Sequence, residues 1–356
     1  MAATLLHLDP GFGNAFANLH DASKAHSGVV NVMGEHASYR LRHESPLKGD
    51  TVGISLAVSD WKRVSLDATT LAADAEVAVQ VARGGQIATL ILPANTAWEA
   101  AGGPAVAAPP LALRRPTPTE IAAAALALTP PGAALMVDGA ALYTDFGLVA
   151  AKVAARTGAR LMAPFFAVRQ RRGGGTVRFA RLAYKVDENL AIMADVSTPV
   201  LCGAGRPAAF FAYPGKPSLN EAPRTHVLDL ASIEMDLDWT LHALAAAVGE
   251  AELGPEAFVP LAVPEVPTGP LTLEAIGQAI AALLPAEVVV VNEIVTSTRP
   301  AAAALATARP HDWLVTMGGA IGAGLPTSVG AAVACPDRRV LCLSGDGAAM
   351  YTVQSL

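Results

Sequence analysis

The chain has 356 residues, of which 52% are hydrophobic and 16% charged, and its formal net charge is −6. This composition excludes a disordered protein and predicts an α/β protein with a large core, long enough for two or three domains. The basic residues do not gather in a run, so we expect no nucleic-acid partner. We also expect no membrane span and no signal peptide, which favours a cytoplasmic protein. The three cysteines are expected to be buried, unpaired thiols: Cys202, Cys335 and Cys342.

The first segment, residues 1–100, is predicted to alternate strands and helices in the order βαβαβ. Strands are expected at residues 4–8, 29–33 and 86–92, and helices at 14–25 and 70–83. Residues 9–13 are predicted to form a turn, and 34–53 an irregular stretch. This order favours a parallel sheet covered by helices.

A proline-rich linker, residues 101–118, is predicted to lead into a second α/β unit, residues 119–250. Its strands are expected at 133–138, 160–162, 200–203 and 226–230, and its later helices at 142–156 and 238–248. The basic, glycine-rich residues 171–175 are typical of a mobile surface loop, with an anion-binding loop as the alternative. A second linker, residues 251–270, ends this unit.

The last segment, residues 271–356, is predicted to hold the functional site. A helix (273–284) and a strand (287–291) precede a turn rich in glycine, a helix (326–334), a strand (339–344) and the tripeptide Gly345-Asp346-Gly347. Glycines let a ligand approach the backbone, a following helix offers unpaired N–H groups to an anion, and a carboxylate can bind Mg²⁺. Taken alone, the tripeptide is more typical of a strand-to-helix turn with a capping aspartate.

In context, these motifs resemble those of thiamine diphosphate enzymes. Residues 319–326 match the family's Gly-x-x-Gly-x-x-Leu-Pro turn, which precedes Gly-Asp-Gly in the same order. Residues 6–14 resemble the Gly-Pro-Gly-x-x-Asn stretch of the pyrimidine-binding domain, and 292–298 the Asn-Glu-x-x-Ser/Thr turn of the diphosphate-binding domain. Residues 210–217 resemble a central-domain stretch of acetolactate synthase large subunit-like members.

The resemblance implies an α/β fold with three doubly wound parallel-sheet domains: a partial pyrimidine-binding domain, a central Rossmann-like domain and a partial diphosphate-binding domain. The family's catalytic glutamate would lie upstream of residue 6, and a second metal-ligating asparagine downstream of Gly347. We therefore expect the chain to be truncated at both ends.

The resemblance also assigns roles to residues around the cofactors, thiamine diphosphate and Mg²⁺. Asp346 is expected to bind the metal. The residues expected to contact the diphosphate are Gly345, Gly347, Ala348 and Ala349 through the backbone, and Thr296 and Ser297 through their hydroxyls. The carbonyl of Gly319 is expected to accept the cofactor's exocyclic amino group. Ile321 matches the apolar wedge that bends the cofactor, and a stiff β-branched residue suits that task, with core packing as the alternative.

His7 is the candidate catalytic residue. It follows apolar residues at the expected carboxyl end of a strand, where open α/β sheets bind ligands. In benzoylformate decarboxylase a histidine at the matching place takes part in proton transfer, which suits a group that titrates near neutral pH. A structural histidine is an equal alternative.

The function implied by the resemblance is decarboxylation of a 2-oxo acid followed by carbon–carbon ligation, as in acetolactate synthase. A non-ligating, benzoylformate-type decarboxylase is the second hypothesis, and an inactive remnant that still binds cofactor or dimerises is the third. A nucleotide-dependent oxidoreductase is disfavoured because no Gly-x-Gly-x-x-Gly follows the strand ending at Asp138. In the family the cofactor lies between domains of two subunits, so a homodimer or homotetramer is expected.

Overall fold

The computed structural model describes residues 1–222, 224–249 and 251–356. The chain forms two compact units, Met1–Ala112 with Met317–Ala320, and Leu113–Thr316 with Ile321–Leu356. Glu250, at the predicted boundary between the central domain and the second linker, lies outside the described residues. In the described part of the chain, no helix combines the length and apolarity needed to cross a bilayer.

The first unit is a parallel sheet with helices, as its sequence predicts, but the sheet has four strands and not three. Its elements in chain order are β1 (Ala2–His7), α1 (Leu8–Lys24), β2 (Val29–Glu35), α2 (Thr51–Leu56), β3 (Trp61–Val64), α3 (Leu71–Arg83) and β4 (Ile87–Pro93). The strands lie in the order β1-β2-β4-β3, and all three pairings are parallel. Its core includes Phe12, Met33, Ile87 and Ile91, each fully buried.

Two sequence predictions for this unit are wrong. The expected turn at residues 9–13 lies inside α1, because Leu8 adopts a positive φ of 55° and starts the helix directly after β1. Pro10 is tolerated there since first-turn N–H groups have no helical acceptor. The stretch expected to be irregular contains the start of α2, and β3 was missed because it is a short edge strand.

The second unit contains the remaining elements. In chain order these are α4 (Pro118–Ala127), β5 (Ala133–Val137), α5 (Phe146–Thr157), β6 (Arg160–Ala163), β7 (Arg169–Arg172), β8 (Ala180–Arg181), α6 (Val186–Met193), β9 (Thr198–Cys202), β10 (Leu228–Ala231), α7 (Leu237–Val248), α8 (Leu273–Leu283), β11 (Val289–Glu293), α9 (Thr298–Leu305), β12 (His311–Val315), α10 (Gly324–Ala334), β13 (Val340–Ser344) and α11 (Asp346–Thr352).

These strands form two sheets. The first is parallel throughout, in the order β10-β9-β5-β6-β8, and its core includes Leu135, Val137 and Val200. The second has the order β13-β11-β12-β7, with β11 parallel to both of its neighbours. Val290, Leu305 and Trp313 are buried in its core.

The basic stretch near residue 171 is not a mobile loop. Arg169–Arg172 forms β7, which pairs antiparallel with β12 at the edge of the second sheet. The glycines that follow are held by backbone hydrogen bonds, since the Gly174 N–H donates to Ala308 O at 2.8 Å and the Gly175 N–H to Val259 O at 2.8 Å. A strand from the predicted central segment thus completes the sheet of the following segment.

The cysteines are unpaired, as predicted, but only Cys202 is fully buried. Burial raises the pKa of its thiol to about 12, so it stays protonated. Cys335 and Cys342 are half-buried, contrary to prediction, because Cys335 caps the end of α10 and Cys342 lies on the edge strand β13.

Candidate functional site

Two of the predicted motifs meet at the carboxyl ends of β11 and β13. These strands are parallel neighbours, and Glu293 at the end of β11 is in register with Ser344 at the end of β13. The Gly345 N–H donates to the main-chain oxygen of Glu293 at 3.3 Å. The structure therefore brings the Asn292–Ser297 stretch beside the Gly345-Asp346-Gly347 turn.

The side chain of Glu293 holds the glycine-rich turn at the same edge. Its carboxylate is 9% exposed and accepts the N–H of Gly322 at 2.6 Å and the N–H of Gly324 at 2.9 Å. The Thr352 hydroxyl donates to the carbonyl of Gly322 at 2.5 Å from the other side. Sequence reasoning did not select Glu293 as a site residue, although an acidic residue directly after a buried strand was a usable signal.

Asp346 begins α11 and is exposed. The N–H groups of Gly347 and Ala348 belong to the first turn, where amides have no intrahelical acceptor. The Ala349 N–H, expected to face the diphosphate, instead donates to Gly345 O at 2.9 Å within the helix. Apart from its chain neighbours and the backbone of α11, no described atom lies within 4 Å of the position that a Cβ on Gly347 would take, so a ligand has room there.

Gly319 and Ile321 lie in the turn that precedes α10. Gly319 has a φ of 78°, and the space beside its Cα is open. Ile321 is 61% exposed, which excludes the alternative that it is a core residue. Both residues are therefore accessible to a ligand.

Thr296 and Ser297 lie in a short 3-10 turn, Val295–Ser297, that follows β11. Thr296 is exposed and Ser297 is half-buried. Val295, a β-branched residue, has a φ of 35°, a conformation that costs free energy and is concentrated at functional sites. The next hydroxyl, on Thr298, is within hydrogen-bond distance of both side-chain atoms of Asn292, so it fixes the turn.

His7 lies in the first unit, at the carboxyl end of β1, where it was expected. His7 is exposed and has no hydrogen-bond partner among the described residues. The neighbouring strand β2 ends at the buried Glu35, whose carboxylate accepts hydrogen bonds from the Thr51 hydroxyl and from the His36 N–H at 2.7 Å. Burial, together with the charges of Glu35 and Asp50, raises the pKa of nearby Asp9.

The residues of the second unit fit thiamine diphosphate and its metal. One exposed carboxylate, Asp346, suits Mg²⁺, which usually keeps waters and ligand phosphates in its shell. The first-turn amides of α11 and the open space beside Gly347 suit a diphosphate. Glu293 accepts hydrogen bonds and carries negative charge, so its place under the turn makes it a support for the site and not an anion ligand.

Comparison with known proteins agrees with this geometry. The family model described as "Thiamine pyrophosphate enzyme, C-terminal TPP binding domain" matches residues 293–356. IlvX of Mycobacterium tuberculosis, an acetolactate synthase large subunit-like protein, is 41% identical over 364 aligned positions, which span 100% of this chain and 68% of IlvX.

Solved structures share the fold. A Mycobacterium smegmatis protein assigned as thiamin diphosphate-dependent superposes with a TM-score of 0.82 at 20% identity, covering 99% of this chain and 72% of that one. The thiamine diphosphate-dependent 4-hydroxybenzoylformate decarboxylase of Rhodococcus jostii RHA1 superposes with a TM-score of 0.78 at 20% identity, covering 99% and 71%.

The chain therefore belongs to the thiamine diphosphate-dependent enzyme family. Within that family it is similar to the acetolactate synthase large subunit-like protein IlvX. The family's cofactor is thiamine diphosphate, for which Mg²⁺ is the usual partner.

Proposed function

We propose that this chain binds thiamine diphosphate and Mg²⁺ at the carboxyl edge of β11 and β13. The observation that supports the proposal most strongly is the arrangement around Glu293, which links the glycine-rich turn to the Gly345-Asp346-Gly347 turn. Three stretches that the sequence resemblance assigns to the cofactor are thereby adjacent in space.

In this proposal each residue has a defined task. Asp346 binds Mg²⁺, and the amides of Gly347 and Ala348 donate to the diphosphate. Thr296 and Ser297 add hydroxyl donors from the turn after β11. The Gly319 carbonyl accepts the aminopyrimidine N–H, and the exposed Ile321 supplies an apolar surface for the bent cofactor.

The proposed reaction is decarboxylation of a 2-oxo acid with ligation of the remaining fragment to a second carbonyl compound. Bound thiamine diphosphate supplies an electron sink for the carbon that loses carboxylate. The support for ligation is the 41% identity to an acetolactate synthase large subunit-like protein across the whole chain. We further propose a homodimer or homotetramer, because the family's cofactor site uses two subunits. We also propose a cytoplasmic location.

A non-ligating decarboxylase is the second candidate. It is favoured by His7, an exposed histidine without a hydrogen-bond partner in the described structure, at the end of a parallel strand. Such a side chain can transfer a proton to the product, which would release it as an aldehyde.

Calorimetric titration with thiamine diphosphate tests the cofactor site. Binding is expected only with Mg²⁺, and Asp346→Asn is expected to weaken it at least about tenfold, because the metal loses its carboxylate. Asp337→Asn, a change at another exposed aspartate, serves as the matched control. Equal affinity of Asp346→Asn and the wild type would reject the metal role.

Product analysis separates the two reactions. A chain that binds cofactor is incubated with pyruvate, and acetolactate and acetaldehyde are quantified. Acetolactate supports ligation, and acetaldehyde alone supports the second candidate. Cofactor binding without turnover of any 2-oxo acid tested would favour the inactive remnant.

A further inference from the structure

Strand β7 presents two different faces. Side chains alternate along a strand, so Arg169 and Arg171 share one face and Gln170 and Arg172 the other. Both arginines of the first face have acidic partners: Arg169 donates to Asp312 at 3.1 Å, and Arg171 pairs with Glu287. The second face is organised differently.

On that second face, two guanidinium groups share one acceptor. Arg172 stacks over the Trp313 ring, 4.5 Å from its centroid, and its Nε donates to the Gln170 side-chain oxygen at 2.8 Å. Arg181, from β8, donates to the same oxygen. Each guanidinium has five N–H donors, so one amide oxygen satisfies few of them.

The amide nitrogen of Gln170 adds a further donor without an acceptor. Gln170 is 0% exposed, and its Nε2 has no hydrogen-bond partner among the described residues. A buried donor left without an acceptor destabilises the folded state. Arg172 and Arg181 are half-buried, so part of the cluster contacts solvent.

The cluster carries an excess of positive charge, because Asp138, whose charge attracts Arg181, lies beyond ion-pair distance. In the part of the chain that the structure describes, neither Arg172 nor Arg181 lies within ion-pair distance of a carboxylate. Burial and the charge of Arg181 lower the pKa of Arg172, and burial lowers that of Arg181 to about 10 despite the attraction of Asp138. Since arginine keeps its proton in proteins, this positive charge calls for an anion.

We propose that Arg172, Arg181 and the side-chain amide of Gln170 form a binding site for a phosphate group. A phosphate group supplies several acceptor oxygens and up to two negative charges. The oxygens can accept hydrogen bonds from both guanidinium groups and from the amide N–H of Gln170. A water molecule could satisfy Gln170 Nε2 but would not neutralise the excess positive charge of the two guanidinium groups. None of these three residues belongs to the proposed thiamine diphosphate site.

Thermal unfolding of the full chain tests the site. At 10 mM inorganic phosphate the wild type is expected to unfold about 3 °C higher than in sodium chloride of equal ionic strength, because a ligand of the folded state stabilises it. Arg181→Gln is expected to lose this shift, whatever its midpoint in chloride, because the variant loses a like-charge contact with Arg172 but also the attraction of Asp138. Replacing a merely structural arginine would instead keep the shift.

Arg171→Gln is the matched control, because it lies on the other face of β7 and should keep the phosphate shift. Arg172→Gln provides a second variant, expected to lose the shift, although it also loses the stacking on Trp313. An equal shift in the wild type and Arg181→Gln would overturn the proposal. If neither variant folds, calorimetry of the wild type decides, and no saturable heat with phosphate would reject it.

Glycerol 3-phosphate separates two sources of the phosphate group. If this monoester binds at least about tenfold tighter than inorganic phosphate and Arg181→Gln abolishes its binding, the site takes an organic phosphate. Equal affinities, both lost in Arg181→Gln, mark a site for free phosphate. Either result upholds the site and identifies its ligand class.

Discussion

Glu293 shows how one buried carboxylate can organise a backbone. Its two carboxylate oxygens each accept an N–H from the glycine-rich turn, and its main-chain oxygen accepts the N–H of Gly345. Hydrogen bonds to a charged acceptor are stronger than neutral ones, which helps to offset the cost of burying the charge. Glu293 therefore fixes the relative position of the two turns together with the Thr352 hydroxyl, which donates to the Gly322 carbonyl.

Replacing Glu293 by glutamine tests this dependence. The glutamine side chain has one acceptor oxygen, so its NH₂ group would face the N–H of Gly322 or Gly324. We expect a loss of about 2 kcal/mol in the free energy of unfolding, measured by urea denaturation, because a buried donor loses its partner. Glu274→Gln, at an exposed position of α8, should change it by less than about 0.5 kcal/mol. Similar values for the two variants would contradict the support role.

Asp138 gives the protein a predictable pH dependence. Burial raises its pKa to about 6, although the Gly139 N–H and the charge of Arg181 favour ionisation. Because the folded state holds this proton more tightly than the unfolded chain, the contribution of Asp138 to stability falls as pH rises from about 4 to about 6. Asp138→Asn should remove this fall and be about 2 kcal/mol more stable than the wild type at pH 7. Urea denaturation at pH 4, 5, 6 and 7 measures the free energy of unfolding of both proteins. A difference between them that stays constant with pH would refute the raised pKa of Asp138.

At the scale of elements, two glycines on either side of the α10 N-terminus affect stability in opposite ways. Gly322 has a φ of 97°, and a Cβ there would lie 2.6 Å from the Cβ of Tyr351. Gly330 lies within α10 with no atom of the described structure near the position of its missing Cβ. The first glycine is required by the turn, whereas the second only weakens the helix.

Alanine substitutions should therefore change stability in opposite directions. Gly322→Ala is expected to lower the free energy of unfolding by about 2 kcal/mol, through the left-handed φ and the contact with Tyr351. Gly330→Ala should raise it by about 0.5–1 kcal/mol, because alanine favours the helix. Both values come from urea denaturation, and a destabilising Gly330→Ala would show that this helix face is covered.

Strong local patterns made most elements predictable, and the failures have physical causes. The buried strands β2, β4, β5 and β11 are rich in apolar residues, so sequence located them well. By contrast, β7 consists of arginine and glutamine. It is a strand because it pairs with β12, because Arg172 stacks on Trp313 and because Arg169 forms an ion pair with Asp312. Such support comes from distant residues and leaves no local signal.

The candidate site was also predictable only in part from the sequence. The turns that bear Gly319 and Asp346 follow local glycine patterns, and the structure brings the Asp346 turn beside β11 as parallel strand order requires. The position of Glu293 beside a buried strand was a usable signal, but its hydrogen-bond partners could not be predicted, because they lie 29 and 31 residues away. The hydrogen bond from the Ala349 N–H to Gly345 O was likewise unpredictable, because it depends on the residue at which α11 begins.

At the scale of the whole molecule, the two proline-rich linkers differ. Residues 101–117 have no helix or strand, and Val106 and Leu111 are strongly exposed. In the second linker, Val259 exchanges backbone hydrogen bonds with residues 175 and 176, and the Ala262 N–H donates to Thr307 O at 2.8 Å. Among the described residues, the backbone at Val106 and Leu111 has no such hydrogen bonds, so a protease can bind it.

Limited proteolysis with thermolysin should therefore cut first near Val106 or Leu111. It should release a fragment of about 110 residues, because exposed apolar residues in unpaired backbone are its preferred targets. A double change of Val106 and Leu111 to serine should slow this cut several-fold, whereas Leu261→Ser, in the hydrogen-bonded linker, should not. Initial cleavage within residues 251–270 would contradict the distinction.

The pairing of β7 with β12 also constrains when the second unit can finish folding. Arg169 and its partner Asp312 are 143 residues apart in sequence. During synthesis the chain emerges from its N-terminus, so β7 leaves the ribosome long before its partner strand exists. The five-stranded sheet can assemble meanwhile, but its arginine-rich connection must wait unpaired until β12 is made. Contacts of this range slow folding, and chaperone protection of the nascent chain is most valuable during that interval.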